Sequence, residues 1–267
     1  MAQSQSNLSG AGPLAVLDYL VVGGGLIVIA ASGWIYMAYM TWAMGHMSLI
    51  QMWMPPPYPQ AWTALDFFML FVMWSVMMVA MMVPSAIPMV MMFTAVNRNK
   101  RQRNQAYVST FIFTLGYLIA WTGFSLLVSV LQWRLHTAGL LDPMMNGSSR
   151  LLSGVVLVLA GVYQWTPYKE ACLRQCRTPL GFLMSEWREG KAGALMMGVR
   201  HGLFCVGCCW ALMLVLFAVG VMNMLWVLLI AVFVLLEKIL SVARFVRAGS
   251  GLALLIWGAY WLWVPAA

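Results

Sequence analysis

The sequence predicts an all-α protein, a polytopic membrane helix bundle with about seven transmembrane helices. Three observations predict it. Of 267 residues, 63% are hydrophobic and only 8% are charged, where soluble domains carry about 25% charged residues. A chain this poor in charge cannot cover a water-facing surface. Its apolar residues also fall into long runs, and a membrane-crossing helix needs about 20 such residues. Finally, the basic residues collect in a few short segments between those runs, the positive-inside pattern.

Taken in order, residues 1–17 are mildly polar, contain no Lys or Arg, and read as a short tail. Residues 18–267 read as a single transmembrane domain. The first run, 18–44, lacks a preceding basic region and is too long for a signal-peptide core, so it reads as a retained helix. The second is 62–93 and the third 107–133. The fourth, 151–167, is short. The block 193–243 must hold two helices, because one helix over 202–240 would be about 58 Å long. Its break is expected at Gly220-Val-Met-Asn223. The seventh run is 249–264.

The segments between these runs set an orientation. Arg98, Lys100, Arg101 and Arg103 follow the second run. Lys169, Arg174, Arg177, Arg188 and Lys191 follow the fourth, against three acids, and Arg244 and Arg247 follow the sixth. With seven helices all of these share one side, the cytoplasm, leaving Arg134 and Arg150 opposite. The N-terminus is then cytoplasmic and the C-terminus outside. The outward segment 45–61 carries Met47, Met52, Trp53 and Met54 ahead of a proline run that excludes helix. Lone His46 and His136 read as surface residues.

The net charge of +8 does not point to nucleic acid, since no basic patch interleaved with aromatics is present. No phosphate-cradling glycine loop, serine triad pattern or H-E-x-x-H helix occurs. The five cysteines lie in or beside apolar runs in the second half of the chain. That is not a secreted disulfide framework. A reduced metal-binding or redox-active set fits better.

The chemistry concentrates in His201-Gly-Leu-Phe-Cys205-Val-Gly-Cys208-Cys209-Trp210. On a helix, His201, Cys205, Cys208 and Cys209 fall within about 100° of one face. Thiolate and imidazole are ligands for a soft or borderline metal, Cu(I) above all, with zinc possible at a Cys/His site. The opposing reading is plain packing, since Cys behaves as a small buried hydrophobe and Gly202 and Gly207 permit close helix approach. Cys172 and Cys176 form an i, i+4 pair that could share a helix face, either as a metal relay at the cytoplasmic mouth or as a bland surface pair. The second run holds Met77, Met78, Met81 and Met82 ahead of Pro84 and Pro88. Thioethers are soft, neutral ligands, although Met is also an adaptable core filler. Glu237 is an acid inside an apolar run, and such residues default to function. It lies at a depth similar to His201 and could orient that ring, or form an ion pair with Lys238 or an Arg.

The set Met-Met-x-Ala-Met-Met-x-Pro-Ser, then Tyr163-Gln164…Lys169-x-x-Cys172-Leu-x-x-Cys176-Arg-x-Pro179, then His201-Gly…Cys205-x-Gly-Cys208-Cys209-Trp210, then Glu237-Lys238, resembles a bacterial family. These are predicted metal-binding integral membrane proteins of a domain of unknown function, some of them described as copper chaperones for polyphenol oxidase. The likeness spans about 67–261. It implies a non-catalytic inner-membrane protein that carries Cu(I) to a cuproenzyme client. His201, Cys205, Cys208 and Cys209 would be ligands, Cys172 and Cys176 a transfer pair, and the four methionines a thioether path. The rivals are a membrane thiol-disulfide oxidoreductase and a non-catalytic membrane subunit.

Overall fold

The computed structural model describes residues 13–46, 53–56, 61–102, 108–141, 149–240 and 243–263. Among them the chain forms ten helical segments and no β-sheet: α1 (Pro13–Gly45), α2 (Ala64–Gln102), α3 (Thr110–Thr137), α4 (Arg150–Gln164), α5 (Pro167–Arg177), α6 (Pro179–Glu186), α7 (Gly190–Leu214), α8 (Leu216–Val219), α9 (Met224–Ile239) and α10 (Ala243–Trp263). The protein is all-α. Five of these helices are long and apolar enough to cross a membrane, or six spans if the bent pair α4–α5 counts as one.

Seven crossings were expected and this count does not show them, for reasons that are local. Pro167 cannot donate to α4, so it starts a new helix at the first position, with Thr166 capping the Lys169 N–H. The chain turns 65° there. The expected break after α8 occurs where Gly220 adopts φ 99°, a left-handed conformation that glycine tolerates best. Asn223 then caps α9 through Leu225 and Trp226 N–H. At 16 residues, α9 is about 24 Å long, shorter than a bilayer core. At the other extreme α2 continues through both prolines to Gln102, so the first basic segment is partly helical. Likewise α1 begins at Pro13, ahead of the expected start. Arg103 lies outside the described residues, as do Met47 and Met52.

The bundle is built around α2, α3 and α7. Helix α1 covers α2, α4 pairs with α10, and α5 lies on α7. Its outward faces are apolar: Ile35 and Leu127 are each 69% exposed. Contacts between helices rely on small residues. A Cβ on Gly198 would stand 2.0 Å from the Phe113 carbonyl oxygen, and one on Gly116 2.2 Å from that of Leu195, so α3 and α7 touch backbone to backbone. Gly154 meets Gly258, and Gly161 meets Gly251, along the antiparallel α4–α10 pair.

Several polar groups inside the bundle find partners across helices. Pro84 leaves the Ala80 carbonyl without its helical donor, and the Trp34 indole donates to it at 3.1 Å. Trp74 donates to Gln132 at 2.6 Å. Asp66 accepts from Thr63 and Trp53, so it caps the start of α2. His136 corrects its expected surface position: it is buried and accepts from the Trp62 indole at 3.1 Å.

Two substitutions separate close packing from helix propensity. Gly198→Ala should lower the stability of the detergent-solubilised protein by about 1–3 kcal/mol through overpacking. Gly123→Ala, where no atom lies within 4 Å of the added Cβ, should be neutral or stabilise by up to about 1 kcal/mol. Reversible unfolding reads both, and equal effects would contradict the α3–α7 contact.

Candidate metal centre

In α7 the i, i+3, i+4 spacing puts Cys205, Cys208 and Cys209 on the buried face, and all three are buried. The Cys208 and Cys209 thiols both donate to the Cys205 carbonyl, at 3.1 and 3.0 Å. The two glycines of the motif explain why other helices reach this face. A Cβ on Gly202 would strike the Ala120 Cβ at 2.5 Å, and one on Gly207 would strike the Cys172 sulfur at 2.8 Å. The first glycine therefore admits α3, and the second admits α5.

Helix α3 brings Tyr117, whose hydroxyl lies 3.2 Å from Cys205 Sγ and donates to the Met82 carbonyl at 3.1 Å. Helix α5 brings Cys172 onto Gly207, and Cys176, partly buried, packs against the core cluster that holds the three α7 cysteines. Helix α2 brings Met82, whose sulfur is 3.9 Å from Cys209 Sγ. Met77, Met78 and Met81 are buried on the same helix. The three α7 cysteines and Met82 thus lie together, with Cys172 and Cys176 of α5 beside them. All five are free thiols.

Lys238 of α9 completes the centre. Its Nζ donates to Cys205 Sγ at 2.9 Å and to Ser85 Oγ at 2.7 Å. Buried charges require compensation, and Cys205 is the group against this ammonium that can carry a negative charge. The preceding residue, Glu237, faces elsewhere. Both its carboxylate oxygens accept from Lys169 Nζ, at 3.0 and 2.8 Å, in a pair whose side chains are 2% and 0% exposed. Lys169 also donates to Gln164. Arg177 donates to the backbone carbonyls of Glu237 and Leu240, closing the C-terminal end of α9.

His201 occupies an aromatic box. Its ring centroid is 5.3 Å from that of Phe182, 5.7 Å from Tyr117 and 6.2 Å from Phe113. Its Nδ1 has no hydrogen-bond partner among the described residues. The ring is not bonded to Glu237, whose carboxylate is held by Lys169, nor to the thiols. Among the described residues no group of three or more His, Cys, Asp or Glu is arranged to hold a metal ion. The donors present are sulfurs from α2, α5 and α7, which suit a soft ion able to accept two ligands.

Sequence reasoning found the sulfurs and did not find Tyr117, Ser85 or the role of Lys238. The signals for Ser85 and Lys238 were available, as a serine between two helix prolines and a lysine inside an apolar run. Tyr117 carried none, being one aromatic among many.

Comparison with known proteins gives one result. The family described as PpoB2, copper chaperone, matches residues 71–261, well over half the chain. No curated protein and no solved structure matches. Zinc, the other ion considered for a Cys/His site, finds no support there.

The buried ion pair yields a direct test. Lys169→Met or Glu237→Leu alone should cost about 3–5 kcal/mol of stability by stranding a charge. The double variant Lys169→Met, Glu237→Leu should recover much of that loss. Strict additivity in a double-mutant cycle would contradict the pair.

Proposed function

Because the chain belongs to the PpoB2 copper chaperone family, we propose that it carries copper as Cu(I) and delivers it to a cuproenzyme client, and that it acts as a carrier and not as an enzyme. The observation that bears this reading is the burial of Cys205, Cys208 and Cys209 on one face of α7, with the Met82 sulfur 3.9 Å from Cys209 and Cys172 and Cys176 of α5 packed alongside. Copper here is cargo. Cys205, Cys208 and Cys209 hold it as thiolates. Cys176 and Cys172, on α5, pass it to or from that site. Met77, Met78, Met81 and Met82 give it neutral sulfur contacts along α2. His201 tunes or completes the site from its aromatic box, and Glu237 acts at a distance by fixing the end of α9 that carries Lys238.

The same reading puts the bundle in the cytoplasmic membrane of a bacterium, with seven crossings and the N-terminus inside. The antiparallel contact of α10 with α4 supports it, since α10 then starts at the end where α4 finishes. That requires α9 to return the chain across the bundle despite its length. A thinned or locally adapted bilayer accommodates a short crossing at a modest cost.

Thiolate ligation releases protons, so copper binding should weaken as pH falls. Elemental analysis of purified protein tests the assignment. The wild type should retain copper in the presence of a reductant, and the Cys205→Ser, Cys208→Ser, Cys209→Ser triple variant should lose the pH-dependent copper. A folded triple variant with unchanged copper content would refute the ligand set. Quinone-linked thiol oxidation by copper-free protein would favour the oxidoreductase instead.

A further inference from the structure

A second group of sulfurs lies away from the thiols, at the end of the bundle where α2 begins. Met37 and Met40 of α1, Met73 and Met77 of α2, and Met222 and Met224 at the start of α9 line an internal space of about 30 Å³. An adjoining space of about 10 Å³ is lined by Met40, Met73 and Met222 again, joined by Met44, Met54 and Trp53. Six of the ten residues around the first space are methionines, against 24 in the 267-residue chain. Methionine also fills irregular gaps, but here it lines a space that it leaves unfilled. About 10–15 Å³ suffices for one water-sized occupant.

The lining also excludes ligands. Among the described residues it holds no carboxylate, imidazole, thiol or ammonium. Hard divalent cations need oxygen donors and zinc prefers thiolate or imidazole, so a neutral thioether set selects a soft ion. The space also connects to the thiol centre along one helix. Met73, Met77 and Met81 succeed one another at i+4, with Met78 and Met82 beside them. Met82 reaches Cys209 at 3.9 Å. The rise from Met73 to Met82 is about 14 Å.

We propose that this methionine vestibule is a second, thioether-only site for Cu(I), through which the ion passes between the end of the bundle and the thiol centre. It rests on the copper-carrying reading. It adds α1 and the proline-rich segment, both outside the matched region 71–261, to the working parts of the protein. Thioethers need no deprotonation, so ion binding there releases no protons, unlike binding at thiols.

Silver(I), a redox-stable soft monovalent ion, is the probe. Purified full-length protein is titrated with it while stoichiometry and proton release are followed. The wild type should show a proton-releasing class and a proton-silent class. The Cys205→Ser, Cys208→Ser, Cys209→Ser variant should keep the silent class. The Met40→Leu, Met73→Leu, Met222→Leu variant should lose that class and keep the other. If the leucine variant binds silver as the wild type does, or the serine variant binds none, the vestibule is overturned. If the serine variant loses nothing while the leucine variant does, the thiol reading fails and the vestibule stands. A measurement on wild-type protein guards against misfolding. With ¹³C-methyl methionine, silver should shift the methyl resonances of Met40, Met73 and Met222, and unmoved resonances would overturn the proposal.

Discussion

The Lys169–Glu237 ion pair joins the bend between α4 and α5 to the end of α9, and the sulfur centre depends on that joint. Both side chains are buried, so neither charge has water to fall back on, and each requires the other. Gln164 and Arg177 close the same joint, one on the lysine and one on the last carbonyls of α9. With α5 tied to α9 in this way, Cys172 is pressed onto Gly207 and Cys176 packs beside the α7 cysteines. Glu237 and Lys238 are neighbours about 100° apart around the helix. One helix end therefore serves the ion pair on one side and Cys205 on the other.

Within that frame the glycines and cysteines of α7 form one design. The cysteines supply the donors, and the glycines between them remove the side chains that would hold α3 and α5 away. Tyr117 and Cys176 are present at the centre because Gly202 and Gly207 are small. Lys238 offsets charge at the sulfur where thiolate would form.

The elements readable from sequence were those with a strong local signal. Long apolar runs gave α1, α2, α3, α7 and α10, and the Gly220–Asn223 break fell where a left-handed glycine and an asparagine cap meet. The α4–α5 bend was missed because Pro167 looks the same whether it ends a helix or starts one. The structure does not show the full count of crossings because α9, though amply apolar, has only 16 residues. At the site, the i, i+4 spacing of Cys172 and Cys176 was legible as a shared face, but not that this face meets α7. Glu237 was legible as an anomaly; its partner, 68 residues away in sequence, was not. The vestibule was invisible because its methionines come from segments that only the fold brings together.

The central claim is that buried sulfurs hold copper as Cu(I). Copper K-edge absorption on the loaded wild-type protein tests it most directly. The account predicts a Cu(I) edge with a first shell dominated by sulfur, with at most one nitrogen, from His201. A Cu(II) edge, or a first shell dominated by nitrogen and oxygen, would contradict it.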